Sequence, residues 1–537
     1  MNLKSFFVGL SLILMFVLLL GQAGAQEYEP VEITIHSLPM SYTPPWVEGT
    51  KMAAAWWRQL GIKVKVLEEE VSAGSERFLN RNHQAQLWGF SARPDRLDPQ
   101  LFLDLFVSTD KMNSANYKNP EYDKMVDEAR ATMDSSKRKR LVYEAQELLA
   151  RDVPAIFLFH FYSLAVYNPA RFKNLHPQIG DNPFWNVWNL MSAEPQGNYA
   201  YTRATTRQPQ TLNPMSSTYS ADIEIQQVHY DRLIETGLDG SVQPWAATAW
   251  KWNDSTTLKV TLRPGMKWHD DKDVTSKDVK FTIEYLKKWE VPYLQSYYIG
   301  IKSVDTPDDL TVVFHLEKPN AAFVNQSLTQ LFIMPEHVWA GVVEKKGLSH
   351  PREWVAPESR IGSGPFKAVY FDREDKVVYN KFKNHFIADQ IHFDTLVYKV
   401  YGNMDVAVGA VETGEATFAD TLQTAQFEMA QKNKALIAVS APTHGFAAIW
   451  LNNERPPFDN KAMRIAVTHA TDKEKINEAA MHRQADVAWS PIAPANAFWH
   501  NPDVIKYKFD LQRARTILKE AGYKWDDKGY LLRPVAK

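Results

Sequence analysis

Arg93 and Asp95 stand two residues apart in a polar loop, Ser91-Ala-Arg-Pro-Asp-Arg-Leu-Asp-Pro99, which follows the strand-like run Gln84-Ala-Gln-Leu-Trp-Gly-Phe90. In open α/β sheets ligands sit outside the carboxyl ends of strands, where this loop would stand. A guanidinium there prefers a carboxylate, which it grips bidentately, and a carboxylate prefers an ammonium. Together the two side chains suit a zwitterion. An Arg–Asp pair that only fixes the loop explains the same residues. The 17 tryptophans add indole faces that suit sugars, peptide side chains and cations, and that also serve as ordinary core.

Other chemistry finds little to work with. There is no GxSxG elbow, HExxH helix, Walker A loop or dinucleotide fingerprint. His444, His482 and His500 share one half of the chain at no metal-ligand spacing, so no metal site is expected. The acidic run Trp268-His-Asp-Asp-Lys-Asp273 lacks the glycine and terminal Glu of a calcium loop and reads as a solvated turn. With no cysteine, disulfides, thiol nucleophiles and thiolate metal sites are excluded. The balance of 61 basic and 63 acidic residues gives no support to a nucleic-acid partner. No cofactor is implied. Two carboxylates meeting in space would leave no mark in sequence, so a secreted hydrolase remains an alternative to a binding protein.

The elements that must position these residues read as α/β. Lys4 followed by apolar Phe6 to Leu20 and by Ala23-Gly-Ala25 is an export signal cleaved after Ala25. No cysteine follows to carry a lipid, so the expected product is free in the periplasm. Val31–His36 and Ile62–Leu67 alternate as strands around a helix, Trp46–Leu60, which makes a parallel βαβ unit. Asn119 and Asp134 are caps of two helices that lead into Val153-Pro-Ala-Ile-Phe-Leu-Phe-His-Phe-Tyr-Ser-Leu-Ala-Val-Tyr167. Pro154 ends the helical segment, and the aromatic and β-branched run after it favours extended backbone. It is long for one strand, which suggests passage from one sheet into another. Strands are also expected at Leu258–Leu262, Leu310–Leu316, Lys376–Tyr379 and Ile391–Val400, with capped helices from Thr275, from Asp459 or Asn460, from Thr471-Asp472 and from Asp510.

An ordered series of short motifs then carries a family likeness: Leu212-Asn-Pro214, Tyr230-Asp-Arg-Leu233, Asp239-Gly240, Ala249-Trp250, Trp268-His-Asp270 with Asp278-Val279, and Gly362-Ser-Gly-Pro-Phe366. Gly414-Glu415, Leu451-Asn452, Pro457-Phe-Asp459, Arg464-Ile-Ala466, Ser490-Pro-Ile492 and Ala514 to Tyr523 continue it. In that order the chain resembles the family 5 extracellular solute-binding proteins of ABC transporters, the peptide- and nickel-binding group. One block is out of place. Asp98-Pro99, Asn116-Tyr117, Asn119-Pro-Glu-Tyr-Asp123 and Ala145-Gln146 with Pro154 resemble the family's last segment, yet here they come first. The chain therefore resembles a circular permutation, with the old ends joined near Ala193 to Tyr199 and the new ends lying between Tyr523 and Val31.

The resemblance implies a two-lobe periplasmic-binding-protein clamshell (type II, large cluster C-like) without enzymatic activity. Residues 26–156 with 402–537 would form the lobe bearing both termini, and 157–401 the other. The crossings would fall at 157–167 and 391–401. It implies capture of a peptide or peptide-like solute, with an oligosaccharide or opine as alternative, and delivery to ABC permease subunits in the inner membrane by a monomer. In peptide-binding relatives an Asp in the loop after the Trp-Gly-Phe strand holds the ligand's α-amine, and either Arg93 or Asp95 matches that place. Trp88, Trp450 and Trp489 are candidate pocket walls. Phe161 and Tyr162 would face the cleft from the crossover, and Tyr219 would reach it from the opposite lobe.

Overall fold

In the computed structural model, residues 26–180, 182–217, 220–291 and 294–535 are described. Tyr219 and the expected leader, 1–25, lie outside them. The strand Ala155–Tyr167 organises the rest. It is 13 residues long, and the helix before it, Ser135–Asp152, stops where Pro154 follows. The first half of the strand pairs antiparallel with Phe446–Leu451 (Trp450 opposite Ala155) and with Ala485–Val487. Its second half pairs with Phe418–Ala419 and Ile437–Pro442, the latter placing Pro442 opposite Tyr162. One strand thus serves two sheets, as its length suggests.

On the first side the order runs Phe446–Leu451, Ala85–Phe90, Glu32–Ser37, Lys63–Glu68. Glu32–Ser37 is parallel to both Lys63–Glu68 and Ala85–Phe90, the expected βαβ arrangement around the helix Pro44–Gln59. Both faces of this sheet are covered. Trp57, Met463 and Leu518 bury one, and Phe106, Tyr122 and Leu149 bury the other. On the second side Phe418–Ala419 leads to Tyr201–Thr205, Thr395–Val400, Lys376–Lys381 and Phe366–Asp372. A separate four-stranded sheet includes Thr257–Leu262 and Thr311–Leu316.

Cap chemistry matches the sequence. The Asn119 side chain accepts from the Glu121 and Tyr122 amides, Asp134 accepts from Lys137, and Thr275 with Asp278 forms a capping box. The second crossing differs from expectation. Thr395–Val400 pairs only with Lys376–Lys381 and Tyr201–Thr205, so it stays within the second sheet. The segment after it stays there too: Ala407, Val411 and Phe427 pack against Leu164, Val166 and Ala204. The chain returns to the first sheet between Ile437–Pro442 and Phe446–Leu451. The switch therefore lies at Thr443–Gly445, not at 391–401. The two ends of the described chain meet, with Tyr28–Pro30 antiparallel to Leu531–Pro534 and the Val535 amide donating to the Glu27 carbonyl at 2.9 Å.

Candidate functional site

The long strand is buried along its length except at two consecutive residues, Phe161 and Tyr162, where it passes from one sheet to the other. Both line a groove of about 550 Å³, together with Trp46, Trp88, Arg96 and Arg207. Trp46 packs on Phe161 with ring centroids 5.4 Å apart, and Gly89 leaves the space its ring needs, since a Cβ there would collide with it. Trp88 is half-buried and stacked on Phe78. The Tyr162 hydroxyl donates to Asp486 at 2.8 Å, which holds the ring at the groove edge.

Beside the groove, and sharing Arg207 with it, lies a smaller cavity of about 70 Å³. That is room for two or three waters. Ala92, Arg93 and Pro94 form one wall, while Gly180, Trp185, Glu224, Arg232 and Tyr297 contribute to the facing one. The walls come close because Gly180, at φ +125°, presents no side chain to the Ala92 carbonyl. The loop is held from beneath, where His444 Nε2 lies 2.7 Å from the Arg93 carbonyl.

Arg93 and Asp95 meet each other before anything else. Arg93 Nε donates to Asp95 Oδ1 at 3.1 Å and Nη2 to Oδ2 at 2.8 Å. The Tyr297 hydroxyl, from the facing wall, donates to the same Oδ2 at 2.9 Å and lies 3.1 Å from Arg93 Nη2. Burial alone would push the Asp95 carboxyl up. Arg93 and Arg96 beside it, with hydrogen bonds from Arg93 and Tyr297, outweigh that and hold it below its ordinary value. The pair bridges the two walls, a role beyond that of fixing its own loop.

Deeper on the facing wall Arg203 is fully buried between Glu224 and Asp420, at 2.8 and 2.9 Å. Glu224 also accepts from Arg207 and from the Tyr398 hydroxyl. Two of the candidate walls stand elsewhere. Trp450 is completely buried, stacked on Phe106 at 4.9 Å, with its indole N–H given to the Trp88 carbonyl; all six residues of Phe446–Leu451 are buried on both faces, so its ring is core, not wall. Trp489 lines neither cavity, and its ring lies 4.2 Å from Lys473 Nζ. Sequence reasoning missed Tyr297, Glu224, Arg207 and Arg232. The aromatic run at Tyr297-Tyr298 is the one local sign of the first, Arg232 stands in the motif Tyr230-Asp-Arg-Leu233 with nothing there to mark it as a site residue, and Glu224 and Arg207 carry no sign.

The family model described as "Bacterial extracellular solute-binding proteins, family 5 Middle" matches residues 241–536. The chain belongs to this family. It is 27% identical over 332 residues to the oligopeptide-binding protein AppA of Bacillus subtilis, covering 59% of this chain and 58% of that one. It is 25% identical over 336 residues to the dipeptide-binding protein of Escherichia coli, covering 58% and 62%. The chain thus spans about three-fifths of the length of the curated relatives it matches. Among solved structures it resembles MppA, a periplasmic murein tripeptide binding protein in its unliganded open form, with a TM-score of 0.50, 18% identity and coverage of 60% and 66%. HbpA2 from Haemophilus parasuis gives 0.50, 23%, 60% and 67%. These likenesses are ones of fold, the two-lobe periplasmic-binding-protein architecture. Among the described residues no helix is long and apolar enough to cross a membrane, and no cluster of His, Asp and Glu could hold a metal ion.

Proposed function

We propose that this protein is an exported receptor that closes two lobes on a peptide or peptide-like solute and delivers it to an ABC importer. One lobe comprises 26–160 with 446–535, the other 163–442, and they are hinged at Phe161–Tyr162 and Thr443–Gly445. One observation carries the reading: the strand that belongs to both sheets is half-buried only at Phe161 and Tyr162, at its switch point and against an aromatic groove. A ligand seated there touches both lobes, and its differential contacts with the shut state drive closure. The names of the curated relatives, which bind oligopeptides and dipeptides, support the ligand class. Mass spectrometry of small molecules that copurify from the native host tests it. Peptides support the reading, saccharides replace it with the sugar alternative, and turnover of the bound molecule replaces it with a hydrolase.

The order of segments is read as a circular permutation. Two observations support this: the paired ends at Tyr28–Pro30 and Leu531–Pro534, and matches that stop at about three-fifths of both partners' lengths. A comparison that runs along the chain can follow only one of two exchanged segments. Joining residue 535 to residue 26 through a short Gly/Ser linker and opening the chain at 193–199 gives a protein that folds and keeps its ligand; failure of that variant to fold counts against the reading. Export with cleavage after Ala25 is tested by N-terminal sequencing of the mature protein.

A further inference from the structure

The proposed ligand class can be narrowed from the rings that line the groove. Trp46, Trp88, Phe161 and Tyr162 all line it and are half-buried, whereas core rings such as Phe446 and Trp450 are completely covered. Each of the four is held by its own device. The Trp46 ring lies over Gly89, inside the strand Ala85–Phe90, where any Cβ would collide with it. The Phe161 ring lies over Gly445 in the same way. A glycine within a strand weakens it and marks a place of close approach. The Tyr162 hydroxyl is tied to Asp486 at 2.8 Å, and Trp88 is stacked on Phe78 with ring centroids 5.3 Å apart.

The rings also hold one another. Trp46 is tilted by 35° against Phe161, and it meets Phe159 edge-on with centroids 6.2 Å apart. Rings fixed before a ligand arrives have little side-chain freedom left to lose on binding it. Leu38, Leu164 and Leu422 line the groove beside them. The volume of about 550 Å³ falls within the range of small-molecule pockets, about 300–1,000 Å³. It holds a large side chain together with the backbone that bears it.

On the reading of this protein as a receptor for peptide-like solutes, we infer that the groove is a subsite for an aromatic side chain of the ligand, and that it separates an aromatic ring from a saturated one of the same size. Burial of apolar surface rewards both, and the saturated ring slightly more, since it is the more apolar. The difference lies in the ring faces. An aromatic ring carries a negative face and a positive edge, and it gains from offset stacking on one fixed ring and edge-on contact with another. A saturated ring has neither. Rings seated on glycines, rather than free to turn, are what lets the groove collect this gain.

The test is isothermal titration of the full mature protein with alanine tripeptides in which one position, each in turn, is phenylalanine or cyclohexylalanine. At its best position phenylalanine is expected to bind about tenfold tighter than trialanine, and about threefold tighter than cyclohexylalanine at the same position. Trp46→Leu and Phe161→Leu keep apolar volume and remove a ring, and in both the advantage over cyclohexylalanine disappears or reverses. Trp46→Phe, which restores a ring, retains it. Where a leucine variant does not fold, the comparison of the two tripeptides on the unaltered protein decides. Cyclohexylalanine binding there as tightly as phenylalanine, or tighter, overturns the inference and leaves the receptor reading standing. Binding of maltotriose with no binding of any tripeptide overturns both.

Discussion

Two arginine–carboxylate clusters reach the same cavity, through Glu224 and through Arg93, and are built for different ends. Arg203 sits between Glu224 and Asp420 with all three side chains at most 4% exposed; Arg203 lies in the second sheet, Glu224 in the helix Ser220–Gln226, and Asp420 directly after the strand Phe418–Ala419. Arg93 and Asp95 form an equally short pair, yet the Arg93 side chain is 29% exposed, and the third member, Tyr297, comes from the opposite wall. The first cluster is a fixed strut. The second ties the two walls of the cavity to each other, and must be broken if they part. Burial and connectivity separate the roles, since the chemistry of the pairs is the same.

The largest expected effect breaks the strut. Arg203→Leu leaves Glu224 and Asp420 buried without their shared cation, which costs about 3–5 kcal/mol. Urea unfolding measures it. Arg93→Ala removes two hydrogen bonds to a charged group at a wetter site and costs about 1.5–3 kcal/mol. Equal losses in the two variants would show that burial is not what distinguishes the clusters.

Lys473 sharpens the contrast, because it is a buried charge with no carboxylate among the described residues. It is 5% exposed, donates to the Ala488 carbonyl at 3.0 Å, and lies against the Trp489 ring. Burial lowers its pKa from 10.5 to about 7. At 1.36 kcal/mol per unit, keeping it charged costs roughly 5 kcal/mol. Lys473→Met removes this buried charge and is expected to stabilise the protein by about 1–4 kcal/mol. The pH dependence is the cleaner readout. Between about 7 and 10.5 the unfolded chain holds the proton and the folded one does not, so stability rises with pH across that window. The methionine variant loses this rise. Persistence of the slope would assign it to another group.

How much of this was legible in the sequence follows from what acts locally. The long strand could be read because Pro154 and a β-branched, aromatic run are local facts, and the caps at Asn119, Asp134 and Asp510 for the same reason. The second crossing could not, because an alternating run such as Thr395–Val400 looks alike whichever sheet receives it, and its partners lie in distant segments. Trp450 was ambiguous for a related reason: only the neighbours on both sides of Phe446–Leu451 decide that its ring is core. Arg93 and Asp95 were found from their place after a strand. Their tie to Tyr297, some two hundred residues along, is tertiary and left no local trace.

The smallest effect tests the comparison at the level of single carboxyls. Asp95 and Asp420 are both fully buried beside an arginine, yet they are shifted in opposite directions. Asp95 is held below 3.8 despite burial, because Arg93, Arg96 and Tyr297 all favour its ionised form. Asp420 is raised, because burial leads and Glu224 opposes a charge already shared through Arg203; its Oδ2 has no hydrogen-bond partner among the described residues. The signs for stability therefore differ. The stabilisation from Asp95 is complete above 3.8 and is lost only as pH falls through its lower folded value. The folded state holds the Asp420 proton more tightly than the unfolded chain does, so the contribution of Asp420 is greatest below 3.8 and is lost as pH rises through its folded value. Carboxyl-carbon NMR titration of the aspartates separates the two. A midpoint below 3.8 is expected for Asp95 and one above it for Asp420, and two midpoints on the same side would mean that the wall contact and the buried strut share one electrostatic design.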